Sequence, residues 1–398
     1  MKESILKTFI KYVSLNILGM IGLSCYILAD TFFVSKALGA TGLAALNFSI
    51  SVYSVIHGMG LMIGIGGATR FSILKTQNKS EKANKVFSIS VKFGIIIGII
   101  FAIVGIFGSK ALALLLGADA DTLPLTKRYL ETILCFAPFF IMNNILIAFI
   151  RNDKNPKLSM IAMLTGSFSN IVLDYIFMFP FEMGMFGAAF ATGLAPIISL
   201  GVLSLHFIKK KNTFIFTHTK IIGSFVLDIL SLGVSVFITE VSSAVAIITF
   251  NLVILGLNGN LGVASYGIVA NIALVGVSIF TGIAQGIQPL ISKGHGMKND
   301  DILKKVLKLA LTTSFLLALV IYLGIFFGKE SIIGLFNSEK NLEIAKLANT
   351  GCVIYFLGFF FAGINIIMTI YLSATERTQD AFIISIARGC IIIVPLVL

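Results

Sequence analysis

The run SNIVLDYIFMF, residues 169–179, carries Asn170 and Asp174 one helical turn apart inside an otherwise apolar stretch. Residues i and i+4 stack on one helix face, so the amide and the carboxylate would share a surface. Asp30 lies six residues before Lys36, at the end of a second apolar run, and Thr192 lies about seven residues into a third. Asp174 precedes Pro180 by six residues, which places it roughly 9 Å inside its helix end at 1.5 Å per residue. Two carboxylates, an amide oxygen and a hydroxyl at one level make a hard, all-oxygen set. Such a set suits Na⁺ or a proton and not softer zinc or copper. Carboxylates held together away from water repel each other, and a bound proton or small cation relieves that repulsion. The competing reading has these groups capping helix ends or bonding one another. For an ionisable residue inside a membrane helix the functional reading is the default.

The elements that must hold these groups follow from composition. Of 398 residues, 57% are hydrophobic and only 12% charged, and the mean hydropathy is +1.00. A soluble domain of this length has too much surface to remain so uncharged. Uncharged runs at 12–29, 37–69, 183–208, 241–292, 309–328 and 347–375 each reach the roughly 18 residues that suggest a bilayer span. The chain reads as an all-α polytopic membrane protein. Charge clusters and turn residues divide it into eleven spans, near 10–34, 45–69, 87–108, 130–150, 158–180, 185–208, 225–256, 262–290, 307–328, 347–372 and from 380 onward. The eleventh reaches Leu398 without a polar stop, so the chain is expected to be truncated within its C-terminal half, with a last span missing. The first apolar segment lacks a small-residue cleavage site and leads into further spans, which makes it a span and not a signal peptide.

Basic residues are distributed unequally between alternate loops. Twenty-one fall near 2–11, 70–85, 151–157, 209–220, 293–308 and 377, against seven on the other side (Lys36, Lys110, Lys127, Arg128, Lys329, Lys340 and Lys346). The positive-inside rule puts the N-terminus in the cytoplasm. The net charge of +12 then belongs to a face that touches anionic lipid, and it calls for no nucleic-acid partner.

The remaining polar residues support no catalytic constellation. Cys25, Cys135, Cys352 and Cys390 sit singly in apolar segments, as small packing residues do. His57, His206, His218 and His295 show no ligand spacing. No cofactor is called for and no enzyme is expected. Glu240 is the one acid deep in the C-terminal half; it could bind a cationic substrate or a proton, or make a structural hydrogen bond. Arg388, ten residues into the eleventh span, could pair with an acid or snorkel.

The two halves echo each other. A shift of 220 residues aligns Gly39-Ala-Thr-Gly-Leu-Ala44 with Gly259-Asn-Leu-Gly-Val-Ala264. In both copies a span, a short Gly turn, a second span and a basic stretch follow in order. Six spans per half is an even number, so both copies share one orientation. That implies a pseudo-twofold axis along the membrane normal relating a lobe at 1–215 to a lobe at 216–398.

Several stretches resemble the multidrug and toxic compound extrusion (MATE) transporters. LADTFFVSKALGATGLAAL (28–46) is similar to that family's first-span signature. RNDKNPK, SNIVLDYIF and MGMFGAAFAT resemble its fourth loop through sixth span, and LGVSVFITE, YGIVANI and GIAQGIQPLIS its seventh and eighth spans. The resemblance implies a twelve-helix, two-lobe antiporter that expels organic, often cationic, compounds in exchange for Na⁺ or H⁺. It also implies an N-lobe cation site at Asp30, Asn170, Asp174 and Thr192. One branch of the family pairs an acid in span seven with another in span ten. Glu240 matches the first, but LGFFFAGINIIM offers only Asn365 for the second, so that site is in doubt here. Lys154 stands where the family commonly has a loop glycine.

The leading expectation is therefore a secondary-active exporter, with small organic cations, the coupling ion and lipid as its partners and a monomer favoured. A flippase for lipid-linked precursors would need a cationic central cavity. An intramembrane enzyme would need a nucleophile–base pair or a His-rich metal set. The orientation is directly testable. In a cysteine-free background, single cysteines placed in the 75–85 and 209–220 loops should react with membrane-impermeant reagents only from the cytoplasmic side. Labelling in intact cells from outside would reverse the assignment.

Overall fold

The computed structural model describes residues 4–336 and 341–397. Lys2 and Lys340, counted above among the loop cations, lie outside the described residues, as does the side chain of Cys390. The described chain is helical in the order α1 (Ile5–Thr76), α2 (Ser80–Leu115), α3 (Leu123–Cys135), α4 (Ala137–Asn152), α5 (Pro156–Met178), α6 (Gly184–Ile208), α7 (Gly223–Gly296), α8 (Asp300–Phe336), α9 (Leu342–Leu357), α10 (Phe359–Ala374), α11 (Thr378–Ile386), a π-helical turn (Ala387–Ile391) and α12 (Ile393–Val397).

The longest elements are hairpins. Straight, the 72 residues of α1 would run roughly 108 Å, several times the hydrocarbon thickness. Gly39 breaks it with φ 63° and ψ −154°, a conformation that glycine adopts without a Cβ penalty. The fold-back brings the hydroxyls of Tyr26 and Tyr53 within 2.7 Å, whereas 27 residues of straight helix would hold them roughly 40 Å apart. Gly259 breaks α7 in the same way, at φ 60° and ψ −154°, and Phe250 stacks on Tyr266 across that turn at 5.4 Å. Two further spans are bent pairs, α3 with α4 by 49° and α9 with α10 by 44°.

The first ten expected spans are found as helices, most extending several residues beyond their apolar stretch, while the eleventh is broken into α11, the π-helical turn and α12. The fourth, expected at 130–150, is the bent pair Leu123–Cys135 and Ala137–Asn152, and its last turn carries Arg151 into the protein interior. The repeat is also visible in backbone detail. Besides Gly39 and Gly259, Asn78 and Lys298 both take positive φ (60° and 53°), as do Lys154 and Glu376 (66° and 62°). At each of these four helix ends the next residue's N–H bonds back to the fifth residue before it, the Schellman closure that satisfies orphan carbonyls.

Packing forms two hydrophobic cores. One spans Met20 to Ile229; the other gathers Val236 to Ala374 with Phe9, Val13, Leu61 and Ile65 of α1. The halves join where α1 crosses α7. A Cβ at Gly66 would overlap the carbonyl oxygen of Ile229, and one at Gly233 that of Met62. At Gly282 and Gly286 a Cβ would lie 2.7 and 2.8 Å from the Cα atoms of Ile17 and Val13. Small residues let membrane helices approach this closely, which supplies the dispersion contacts that substitute for a hydrophobic drive in lipid. All four glycines fall in the half of the bundle nearer the basic loops. The opposite half of the first α7 limb is uncovered, with Leu252 64% and Leu257 76% exposed.

Residues 209–222 connect the halves in extended form and lie against the first. Asp153 accepts from His206 Nε2 at 2.9 Å, from Thr213 N at 2.8 Å and from the Thr213 hydroxyl. Phe214, fully buried, packs among Phe71, Phe87 and Phe149. Lys75 and Lys92 donate to the carbonyls of Thr213 and Thr219 at 2.8 and 2.6 Å.

The crossing predicts a local stability effect. Gly233→Ala should destabilise the chain by about 1–3 kcal/mol through overpacking and so lower its thermal unfolding midpoint. Gly201→Ala, at a position with no neighbour within 4 Å, should leave the midpoint unchanged or raise it. Equal midpoints for the two variants would show that the crossing tolerates a side chain.

Candidate functional site

Asp30 on α1, Asn170 and Asp174 on α5, and Thr192 on α6 are all buried, from 0% exposed for Asp174 to 7% for Asp30. Their burial follows from helix placement: α5 packs against α6 and against the first limb of α1. With its amide turned to satisfy both ends, Asn170 donates through Nδ2 to Asp174 Oδ2 at 3.1 Å. Its Oδ1 then accepts from the Thr192 hydroxyl and backbone N–H, each at 3.2 Å. Asp30 and Asp174 lie within electrostatic reach of one another. Each has one buried oxygen, Oδ1, without a hydrogen-bond donor. Such an atom is unfavourable by about 1–3 kcal/mol, and more when charged. The four residues chosen from the sequence are therefore brought together, and two carboxylate oxygens are left able to take up a proton or ligate a hard cation.

Three tyrosines that the sequence reading passed over complete the surroundings. Tyr129 of α3, 4% exposed, reaches the Thr192 hydroxyl and feels both Asp30 and Asp174. Tyr26 lies near Asp30 and shares its hydroxyl hydrogen bond with Tyr53. Tyr53 in turn stacks on His57, centroids 5.8 Å apart and planes within 13°, and His57 meets Asn144 at 3.3 Å. These residues come from three separate spans with no common spacing, so only the fold could unite them. Among the described residues no group of three His, Cys, Asp or Glu side chains is placed to hold a metal ion.

Glu240 is not part of this cluster. It faces α1 from α7: a Cβ built at Gly58 would lie 3.3 Å from its Cβ. It is within electrostatic reach of Tyr53, His57 and Arg388. Arg388 sits in the π-helical turn Ala387–Ile391. Glu240 thus lies where the two halves face each other, near Tyr53 and His57 of the first half and Arg388 of its own.

Nearer the basic loops, a second polar layer ties the halves together. Arg151 Nη1 donates to Asn16 Oδ1 at 2.7 Å and to Gln285 Oε1 at 2.9 Å. Asn152 and Gln288 bond at 2.8 Å, and Gln288 also donates to Thr69 at 2.8 Å. At the surface Arg70 pairs with Asp228 at 2.7 Å and Glu376 at 2.6 Å. The hydrogen bonds seen between helices of the two halves lie in this region or, for Ser24 with Ser278 at 3.3 Å, near mid-depth.

A two-lobe helical repeat with an acidic pair buried in its first half matches a known family model. The model, described as MatE, aligns with residues 16–176 and 232–398. The chain belongs to the MatE family, a family of membrane transporters. This MatE chain is 27% identical over 399 residues to the multidrug export protein MepA of Staphylococcus saprophyticus, covering 98% of this chain and 86% of that protein. MepA of Staphylococcus aureus strain MSSA476 is likewise 27% identical over 400 residues, with the same coverage. Among solved structures, an outward-facing multidrug resistance MATE family transporter of the MOP superfamily superposes with a TM-score of 0.92. It is 22% identical and covers 98% of this chain and 87% of its own. A MOP superfamily transporter from Pyrococcus furiosus, described as having a binding pocket of reversed polarity, gives 0.91 at 22% identity, with coverage of 100% and 88%. These superpositions establish the all-α MatE fold.

Proposed function

We propose that this MatE chain is a secondary-active exporter that expels organic, often cationic, compounds across the bacterial cell membrane in exchange for Na⁺ or H⁺. The observation that carries the reading is the buried set Asp30, Asn170, Asp174 and Thr192, in which two carboxylates lie within electrostatic reach and each keeps an unpartnered oxygen. The names of the MepA relatives support drug-like substrates. With the basic loops in the cytoplasm, the observed contacts close that side, so the cleft between lobes 1–215 and 216–398 opens outward.

In this reading a proton or Na⁺ joins Asp30 and Asp174 and neutralises their repulsion. That changes how α1, α5 and α6 pack around the site. Substrate favours the other packing, so the two ligands are linked through their differential affinities for the two states, and the linkage is reciprocal. Glu240, at the junction of the lobes, supplies a negative charge for cationic substrates.

Efflux from proteoliposomes under separately imposed Na⁺ and proton gradients tests the exchange and names the ion. Asp174→Asn preserves shape and removes the charge, so it should insert and fold while losing gradient-driven export by about 5–150-fold, the usual range of coupling between sites. Asp30→Asn should match it, and the double variant should be little worse than either, because both remove one shared interaction. Full coupled export by Asp174→Asn at wild-type expression would sink the coupling role. Separately, Glu240→Gln should weaken export of cationic dyes more than that of neutral compounds. An equal loss for both would assign Glu240 to structure.

A further inference from the structure

The buried Arg151 is not explained by cation exchange. It is 1% exposed, yet no carboxylate pairs with it among the described residues. Its hydrogen bonds go to two neutral amide oxygens, those of Asn16 and Gln285, and the titratable side chain it feels is Tyr12. Its Nε is buried without an acceptor. A buried cation is ordinarily paired, because removing it from water costs far more than amide oxygens return.

Arg151 and Gln285 line a cavity of about 70 Å³, otherwise formed by the first half, that reaches Thr192. Two more buried polar atoms without partners line the same cavity, Asn143 Oδ1 and Ser199 Oγ. A serine hydroxyl can rotate to donate, and a carboxamide with no bonds of its own can turn its NH₂ inward. The wall therefore offers a guanidinium N–H, a hydroxyl and an amide to one space. One water-sized occupant needs about 10–15 Å³ on this measure, so the cavity has room for a small ion with a few waters.

We propose that this cavity binds a small monovalent anion, a halide-sized ion or a carboxylate, against Arg151. The site lies at the Arg151 end of the cavity, whereas the cation set meets the cavity at Thr192, so the two are tested separately. Its position gives it a consequence for the whole molecule. Asn16 lies on α1, Arg151 on α4 and Gln285 on α7, so the guanidinium spans the two halves. An anion on its free edge compensates the charge while the bridge is formed, and so favours the arrangement closed on the basic side.

The test uses the purified full chain at constant Na⁺ concentration and ionic strength, so the proposed cation site sees no change. Gluconate, far bulkier than the proposed occupants, is replaced stepwise by chloride, bromide or formate while the thermal unfolding midpoint is followed. The midpoint should rise and saturate. A rise with the halides alone identifies an inorganic ion, and one with formate alone a carboxylate. Arg151→Gln should abolish the dependence and Arg151→Lys should retain part of it. Ser199→Ala, which keeps the guanidinium and trims the wall, should move half-saturation several-fold higher. Midpoints identical in all four salts, or half-saturation unchanged in the Ser199 and Arg151 variants, would overturn the site.

Discussion

Hydrocarbon offers no hydrogen bonds, so each polar atom that this chain carries into the bilayer must find its partner inside the protein. Most do so locally, as serine and threonine hydroxyls return to carbonyls one turn earlier on their own helices. The exceptions define the molecule. Asp30 and Asp174 leave oxygens unmatched, and Arg151 carries a full charge among neutral amides. The fold keeps the acids and the arginine on opposite sides of Thr192 and the cavity beneath it. A single ion pair would have neutralised both and left neither able to respond to a ligand.

The second constraint is the helix crossing that lets such groups be enclosed at all. Gly66, Gly233, Gly282 and Gly286 bring α1 and α7 into backbone contact. Leu61, Ile65 and Val13 of α1 are thereby delivered into the other half's core. The seam is strongest on the side where the backbones touch and the amides of Gln285 and Gln288 reach across. An assembly fastened along one edge only can open along the other without disturbing either core.

Much of this was legible in the sequence, and the boundary of legibility has a physical cause. The i, i+4 spacing of Asn170 and Asp174 fixed their common face, and helix rise placed Asp30 and Thr192 at the same depth, because both quantities are local. The 220-residue repeat survives as matched left-handed residues at Gly39 and Gly259 and at Asn78 and Lys298, since turn chemistry is also local. Tyr26, Tyr53 and Tyr129 escaped notice because their meeting depends on how α1 folds back and where α3 packs. Arg151 was counted among loop cations because apolar content stops near residue 150, whereas the helix continues to Asn152 and turns the guanidinium inward. Glu240 read as an isolated acid until the crossing set it beside Gly58 and within the influence of Arg388.

The connection between the halves has a mechanical meaning. Residues 209–219 are fastened to the first half by Asp153, by Phe214 and by two lysines, so they travel with it as a rigid bracket. The slack left between Thr219 and the start of α7 at Gly223 is a few residues, or roughly 10–14 Å when fully extended. Such a leash permits rocking about a fixed edge and forbids wide separation. The two halves behave as a hinged shell, with the pivot set by the chain itself.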